Sequence, residues 1–223
     1  MKILALEFSS EQRSVAVLQS PAGGGPSVPS VATFQSSPRT LNAFHLIETV
    51  LCQHEVEREE IECIAIGLGP GSYTGIRAAI SIAQAWQLAR GVRLLGLSSI
   101  ECLAVRAQAH GIFGRVNLVV DAQRNEFYLA TYEIDSARLR PIEALRLAAV
   151  SEVAARAKAG EMLVGPEVDR WFAPAKVLFP EAGALATLAA GRTDFVSGQK
   201  LEPIYLRETT FVKAPPRQIL PND

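Results

Sequence analysis

Short apolar runs alternate with helical patterns along the first half of the chain. Near-continuous apolar runs predict strands buried on both faces, and polar or glycine-rich stretches between them predict turns. The predicted strands are Lys2–Phe8, Ser14–Leu18, Val31–Phe34, Ile61–Gly67 and Leu94–Leu97. The predicted helices, placed by Ser and Pro at their starts and Gly at their ends, are Ser37–Cys52, Thr74–Arg90 and Ser98–Gly111.

The second half of the chain repeats this alternation of strands and helices. An apolar strand that ends in an acid is followed by a polar turn and a return strand, and helical patterns come later. The predicted strands are Val116–Asp121, Phe127–Tyr132 and Met162–Val164, and the predicted helices are Ser151–Ala159 and Ala182–Ala190. Alternating strands and helices of this kind indicate the α/β class.

Two segments of the chain resemble each other. LALEFSSEQRSVAVL (Leu4–Leu18) and LVVDAQRNEFYLATY (Leu118–Tyr132) are each an apolar strand ending in an acid, then a polar turn and a second strand. Glu7 of the first segment corresponds to Asp121 of the second. Two unrelated hairpins would give the same pattern. Helices and strands also recur in the same order after each segment, so we predict a duplicated βββαβα fold of two lobes.

The predicted lobes divide the chain near its middle. Its 223 residues suffice for one large domain or two small ones with a real core. We place the N-terminal lobe at residues 1–112, with the hairpin sheet and two apolar helices, and a smaller C-terminal lobe at residues 113–223.

Composition and charge narrow the classes of function. The formal net charge is −1, so we expect no avid nucleic-acid binding by this chain alone, because phosphate affinity needs clustered Lys and Arg. Cys52, Cys63 and Cys102 form no CxxC pair, which is typical of buried free thiols in a reducing compartment. No apolar stretch approaches the roughly 18 residues of a membrane span, and no secretory leader is apparent. We expect a cytoplasmic protein without membrane contact.

The glycine-rich turn after the fourth strand is the strongest candidate for ligand chemistry. Backbone N–H groups where Gly67–Gly75 enters a helix could bind an anion. No Gly-Lys-Ser/Thr follows, so this is not a Walker loop, and the spacing around Ser72 is not that of a nucleophile elbow. The alternative is that Ser72 or Thr74 is simply the N-cap of the helix.

The titratable residues offer little further chemistry. The three histidines have neither HExxH nor HxxxH spacing, so we expect no metal site. Glu7 and Asp121 both lie at strand ends and could together hold hydrated magnesium with nucleotide phosphates. The alternative is that each acid accepts hydrogen bonds from its own turn. We therefore name no catalytic residue.

The helical pattern Ile76–Ala89 is apolar nearly all round. A surface helix needs only one apolar stripe, so a second apolar face requires a second covering. Either the helix is buried within its own chain, or it is partly exposed at a subunit interface. Periodicity alone does not choose between them.

Four ordered motifs, GLGPGSYTGIR, GVRLLGLSSIECLA, VVDAQRNEFYLA and PIYLR, resemble those of a known family. The chain is similar over nearly its whole length to the TsaB (YeaZ) proteins of bacterial tRNA threonylcarbamoyladenosine biosynthesis. The resemblance implies the two-lobed, duplicated actin-like (ribonuclease H-like) ATPase fold of the sugar-kinase and Hsp70 superfamily, here with a shortened second lobe.

The resemblance also implies a function and partners. It implies a non-catalytic scaffold and activator that pairs with the transferase TsaD in the synthesis of N6-threonylcarbamoyladenosine (t6A) in tRNA, together with the ATPase TsaE. It implies a homodimer when TsaD is absent, tRNA contact only through the complex, and no cofactor unless a nucleotide binds at a subunit junction. The alternative is a nucleotide-dependent phosphotransferase or a metallopeptidase of the same fold, which fold analogy alone supports.

The partner surface that the resemblance implies consists of two helices, residues 39–51 and 75–90. The expected contact residues are Arg39, Phe44, Leu51, Tyr73, Ile76, Arg77, Ala79, Ile80, Ala83 and Trp86. A vestigial phosphate turn is expected at Gly69, Gly71 and Ser72. On this basis, Ala79→Glu or Ala83→Glu should weaken pairing and leave the fold intact.

The sequence departs from the family pattern at two places. The first strand usually ends in Asp-Thr-Ser in this family, whereas this chain has Glu7-Phe8-Ser9, which weakens a magnesium or nucleotide role there. A His-Ser pair usually follows the Arg of the first helix, and Leu41-Asn42 stand in its place. Details of the partner contact are expected to differ accordingly.

Overall fold

The computed structural model describes residues 1–19, 30–35 and 43–207. The helices are α1 (Ala43–Gln53), α2 (Tyr73–Arg90), α3 (Ser99–Ala109), α4 (Val150–Lys158) and α5 (Ala182–Ala190). The strands are β1 (Lys2–Glu7), β2 (Gln12–Gln19), β3 (Ser30–Gln35), β4 (Cys63–Gly67), β5 (Arg93–Leu97), β6 (Gly114–Asp121), β7 (Glu126–Ile134), β8 (Leu139–Ala149), β9 (Met162–Gly165) and β10 (Lys176–Val177). The predicted helix start at Ser37 lies outside the described residues.

The first sheet has the strand order β3-β2-β1-β4-β5. The three strands β1, β2 and β3 are antiparallel neighbours. The strands β4 and β5 run parallel to β1, and α2 makes the crossover between them. The central strands are buried on both faces, which explains why their sequences are nearly continuous apolar runs.

The second sheet repeats this topology with strands from the second half of the chain. Its order is β10-β9-β6-β7-β8, in which β6, β7 and β8 are antiparallel and β9 and β10 run parallel to β6. Thus β6 occupies the position of β1, and β9 that of β4. The counterpart of α2 is a single 3-10 turn, Val168–Arg170, so the second copy is shortened. This architecture confirms the predicted α/β class and the two-lobed, duplicated arrangement.

The strands β8 and β10 have no counterpart among the predicted elements. The sequence of β8, LRPIEALRLAA, contains a proline and several good helix formers, which disfavour a strand by local propensity. Pairing with β7 overrides that preference, and Pro141 is accommodated because β8 is an edge strand. The strand β10 is only Lys176–Val177, too short to leave a periodic pattern.

Helices cover both faces of the first sheet and separate it from the second. The helices α1 and α2 pack on one face with residues such as Leu6, Val50 and Ile76. The helix α5 packs on the opposite face, and α3 lies between that face and the second sheet. The helix α4 covers the far face of the second sheet through Val153 and Ala157. The face of α1 and α2 that points away from the first sheet is therefore at the surface.

The chain returns to the first sheet at its C-terminal end. Leu185 and Ala189 of α5 are buried against β1 and β2. Val196 then forms a bridge with Leu94 of β5, and Leu201 is buried beside α2. The division into residues 1–112 and 113–223 stays a prediction, but this return shows that the first sheet is covered by residues from both halves.

The predicted helix ends agree with the backbone of α2 and α3. Ser72 is the N-cap of α2, and Gly91 ends it in the left-handed conformation (φ 69°) that glycine adopts without strain. Ser98 caps α3 by accepting a hydrogen bond from the Ile100 N–H.

Within the described residues, no helix has the length and apolarity needed to cross a bilayer.

Candidate functional site

A groove between α1 and α2 lies on the face of these helices that points away from the first sheet. Its volume is ≈ 670 Å³, and Phe44 and Ile47 of α1 face Ile82, Ala85 and Trp86 of α2 across it. We call it the helix groove. Its other lining residues are Ala43, Glu48, Arg58, Glu59, Ala78, Ser81, Ala89 and Arg90.

The helix groove exposes apolar side chains that a monomer would ordinarily bury. The side chain of Phe44 is 64% exposed, and Leu88, on the same exposed turn of α2 as Ala85, is 91% exposed. Its charged lining residues are paired with each other, Arg58 with Glu48 and Arg90 with Glu59. Exposed apolar side chains beside paired charges are typical of a protein interface.

Half of the predicted contact residues point the opposite way. Ile76, Ala79, Ile80 and Ala83 are buried in the core between α2 and the first sheet, as is Leu51 of α1. Their expected role as partner contacts is therefore wrong in this conformation, because their side chains are already covered by the same chain. The sequence pattern gives both faces of α2 as apolar but does not say which one faces the sheet.

The remaining predicted contacts divide between two places. Phe44 and Trp86 line the helix groove, as expected for an interface. Tyr73 and Arg77 lie at the other end of α2, where the Arg77 guanidinium stacks on the Tyr73 ring at 4.7 Å. Arg39 lies outside the described residues, as does the Leu41-Asn42 pair.

The glycine turn before α2 lies against the β1–β2 turn. The Ser72 N–H donates to the carbonyl of Ser9 at 2.7 Å, and the Ser72 hydroxyl accepts from the Gly75 N–H at 3.3 Å. A Cβ on Gly71 (φ 149°) would lie 2.0 Å from the Ser9 carbonyl oxygen. Close backbone approach and helix capping thus account for these residues, while the expected phosphate role of Gly69, Gly71 and Ser72 stays a prediction.

Glu7 is a fully buried carboxylate at the end of β1. Its Oε1 accepts from the Ser9 N–H and its Oε2 from the Ser99 hydroxyl, both at 2.9 Å. Burial raises the pKa of the Glu7 carboxyl, and the hydrogen bonds from Ser9 and Ser99 oppose that shift. A Cβ on Gly67 would lie 2.1 Å from Oε2, so glycine there makes room for the longer acid. Glu7 thus joins β1 to the start of α3.

Asp121 repeats the local bond of Glu7 but not its burial. Its Oδ1 accepts from the Gln123 N–H at 2.6 Å, two residues along the chain, just as Glu7 accepts from Ser9. Asp121 is exposed, whereas Glu7 is buried. Each acid therefore accepts hydrogen bonds from its own turn, as the simpler alternative predicts.

A second depression, the inter-sheet cleft, lies between the two copies of this hairpin. Its volume is ≈ 860 Å³, and it is lined by the β1–β2 turn, the start of α2 and the β6–β7 turn. Three acids, Glu11, Asp121 and Glu167, line it. Burial, followed by the neighbouring Glu11 carboxylate, raises the pKa of Glu167. In the described ranges, no group of three or more His, Cys, Asp or Glu side chains could hold a metal ion.

Several cleft residues come from sequence positions that local patterns do not connect. Tyr205 stacks on Tyr73 with ring centroids 5.5 Å apart, and Arg207 lies beside them in the cleft wall. Both belong to the PIYLR motif, which only the family resemblance singles out. Arg124, on the β6–β7 turn, also lines the cleft and belongs to another motif of the family resemblance, VVDAQRNEFYLA.

Comparisons with known proteins support a single family. The family model of TsaD, tRNA N6-adenosine threonylcarbamoyltransferase, matches residues 11–207. The tRNA threonylcarbamoyladenosine biosynthesis protein TsaB of Escherichia coli (strain K12) is 27% identical, over 97% of this chain and 99% of the relative. The TsaB of Haemophilus influenzae (strain ATCC 51907 / DSM 11121 / KW20 / Rd) is 25% identical, over 98% of this chain and 99% of the relative.

Solved structures lead to the same family. YeaZ from Pseudomonas aeruginosa superposes with a TM-score of 0.74 at 25% identity, covering 92% of this chain and 100% of that one. A second structure, described as an uncharacterized protein from Pseudomonas aeruginosa with similarity to peptidase YEAZ, has a TM-score of 0.74 at 27% identity and covers 92% and 99%.

Proposed function

Because the chain belongs to the family described by the TsaD model, and within it to the TsaB (YeaZ) proteins, we propose that it assists a TsaD-like transferase in t6A synthesis. Its role in t6A synthesis follows from the relatives that match it along their whole length. The manner of that assistance, as a scaffold and activator without transferase chemistry of its own, is the proposal.

The helix groove is the observation that carries the proposal. Phe44 is exposed in the groove, whose lining between Ile82 and Trp86 is apolar, and the exposed Leu88 lies near it on α2. Exposed apolar surface of this kind is stabilised when a partner covers it. A helical element of the transferase would cover the groove by laying its own apolar stripe between α1 and α2.

The environment of Glu7 supports a role other than catalysis. This acid, at the end of the central strand β1, is turned into the protein and engaged by Ser9 and Ser99. Glu7 does not line the inter-sheet cleft, so it lies out of reach of a ligand bound there. Its counterpart Asp121 does line the cleft but is held by its own turn.

The wider assembly follows from the same proposal. We expect a TsaE-like ATPase as a further partner, tRNA contact only through the complex, and a cytoplasmic location. Without the transferase, two copies of the chain would cover each other's helix grooves as a homodimer. Bound nucleotide is expected only at a subunit junction, to which this chain would contribute one wall.

Pairing can be tested with one substitution and a matched control. Ala85 is exposed on α2 and lines the helix groove, so Ala85→Glu places a charge in the groove without disturbing the core. Ala155 is an exposed alanine on α4, far from the groove, so Ala155→Glu is the control. Sedimentation with the purified transferase should show at least about tenfold weaker association for Ala85→Glu, because an unpaired charge is costly in an interface.

Two results would contradict this assignment. Equal association of the two variants would remove the helix groove from the interface. Failure of the natural chain to bind the transferase at all would remove the scaffold proposal.

Among the residues that the structure describes, the inter-sheet cleft is the feature that favours the alternative, a nucleotide-dependent phosphotransferase or a metallopeptidase. Its volume would admit a nucleotide, and the start of α2 lies in its wall. Calorimetric titration of the purified chain with ATP and with zinc tests this directly. We expect no heat of binding for either; saturable binding of one of them would favour the enzyme.

A further inference from the structure

The β6–β7 turn has an unfavourable backbone. Gln123, Arg124 and Asn125 all adopt left-handed conformations, with φ of 61°, 57° and 62°. Non-glycine residues avoid this region because Cβ approaches the following carbonyl oxygen, although asparagine tolerates it better than the other two. Three such residues in succession persist only when other contacts hold them.

Arg207 supplies such contacts from the far end of the described chain. Its guanidinium Nη2 donates to the carbonyls of Ala122 and Gln123, at 3.1 and 3.2 Å, and to the Glu126 carboxylate at 2.5 Å. The Ala122 carbonyl precedes the left-handed residues 123–125, the Gln123 carbonyl belongs to the first of them, and the Glu126 carboxylate follows them. Arg207 thus ties together the two ends of the strained turn.

The residues just before Arg207 are fixed to the first sheet. The Ile204 N–H donates to the carbonyl of Leu68, directly after β4, at 2.8 Å. Tyr205 stacks on Tyr73, the first residue of α2, with an interplanar angle of 24°. Leu201 is buried in the core below α2. Residues 201–207 therefore contact the first sheet at one end and the second sheet at the other.

We propose that residues 201–207 form a conformational clamp that joins the start of α2 to the strained β6–β7 turn and so fixes the width of the inter-sheet cleft. Tyr205 and Arg207 both line that cleft, so the clamp is itself part of the wall whose separation it sets. Release of Arg207 lets the turn leave its left-handed conformation and lets the second sheet move relative to α2.

The clamp is tested by perturbing one end and measuring the other. Tyr205→Ala removes the stacking contact on Tyr73 without touching the β6–β7 turn. Hydrogen exchange of the amides of residues 122–126 should become about tenfold faster in this variant, because a clamp loosened at α2 no longer holds the turn. Phe113→Ala, which truncates another half-exposed aromatic residue, is the control and should leave these amides unchanged.

Strain in the turn is tested separately at Arg124, whose side chain is exposed and has no hydrogen-bond or ion-pair partner among the described residues. Arg124→Gly and Arg124→Ala remove the same side chain but differ in the cost of φ 57°. The glycine variant should melt at a higher temperature than the alanine variant, and the difference should shrink when Arg207→Ala frees the turn.

Either of two outcomes overturns the clamp. Exchange at residues 122–126 that is the same in Tyr205→Ala and Phe113→Ala would show that the two ends are not coupled. Equal melting temperatures for Arg124→Gly and Arg124→Ala would show that the natural chain does not impose the left-handed turn. Both pairs of variants change surface or half-exposed residues, so we expect every variant to fold and to be measurable.

Discussion

At the scale of single residues, Glu7 shows how one additional methylene group changes the use of a strand end. The corresponding acid of the second copy, Asp121, is exposed, whereas the longer side chain of Glu7 reaches inward to the Ser99 hydroxyl. Gly67 leaves room beneath it, because a Cβ there would lie 2.1 Å from the Glu7 carboxylate. The glutamate is visible in the sequence, but the inward direction of its side chain is not, because it depends on a residue more than ninety positions away.

Burial of Glu7 predicts a specific dependence of stability on pH. Because its folded pKa is raised, the folded state holds the proton more tightly than the unfolded chain. The contribution of Glu7 is therefore most favourable below the ordinary glutamate pKa, about 4.3, and is lost as the pH rises through the raised value. The Gln side chain of Glu7→Gln does not titrate, so this variant does not lose stability at position 7 as the pH rises.

Urea unfolding at several pH values measures the effect. As the pH rises from about 4 to 8, the stability of Glu7→Gln relative to the natural chain should increase, which means a larger free energy of unfolding for the variant. Glu62→Gln, at an exposed and ion-paired glutamate, is the control and should show no gain of this sign. A difference for Glu7→Gln that is constant across the pH range, or that falls with pH, would contradict the raised pKa.

A second residue-scale prediction concerns Gly75 in the first turn of α2. Helix propensity alone predicts that Gly→Ala is stabilising by about 1 kcal/mol. A Cβ on Gly75 would instead lie 2.0 Å from the carbonyl oxygen of Phe8, a backbone atom that cannot rotate away. We expect Gly75→Ala to destabilise the protein by more than about 2 kcal/mol, as overpacking against a fixed neighbour does.

Gly191 provides the matched control for Gly75, because a Cβ added there would meet nothing within 4 Å and its φ is −94°. Thermal melting should show Gly191→Ala to be neutral or slightly stabilising. If Gly75→Ala were equally tolerated, the close contact between α2 and the β1–β2 turn would be wrong.

At the scale of elements, α2 has two apolar faces with different coverings. One face packs on the first sheet through Ile76 and Ala83, and the other lines the helix groove through Ile82 and Ala85. The sequence of α2 is apolar all round because one face is buried within the chain and the other is exposed at the surface. Periodicity could not assign them, because both faces contain alanine and isoleucine.

The two faces predict opposite results for two alanines that lie two residues apart. Ala83→Glu buries an unpaired charge in the core and should cost more than about 3 kcal/mol of stability, so the expectation that it leaves the fold intact is withdrawn. Ala85→Glu is at an exposed position and should change the free energy of unfolding by less than about 1 kcal/mol. Equal melting temperatures for the two variants would contradict the orientation of α2.

Elements with strong local patterns are the ones that the sequence predicts well. The central strands and α2, α3 and α5 agree with their predicted positions because continuous apolar runs and end signals mark them. The strand β8 is missed because its pairing with β7, not its own propensity, makes it a strand. The clamp is likewise invisible, since its contacts join residues more than eighty positions apart in the chain.

At the scale of the whole molecule, the two halves share one strand topology but differ in the helix that follows their fourth strand. Both sheets have the same strand topology, which the resemblance of Leu4–Leu18 to Leu118–Tyr132 predicts. The second copy has only a 3-10 turn where the first has α2. Among the described residues, the first copy alone therefore has a long helix in this position, and its outer face lines the helix groove that we propose as the partner surface.

The central claim is that the helix groove, rather than a reactive side chain, is what the protein contributes to t6A synthesis. The most direct measurement is tRNA modification by the purified TsaD-like transferase, with its other components, in the presence of the natural chain, Ala85→Glu or Ala155→Glu. We predict formation of t6A with the natural chain and Ala155→Glu, and its loss with Ala85→Glu, restored in part at high concentrations of that variant. Full modification without this chain, or undiminished modification with Ala85→Glu, would contradict the account.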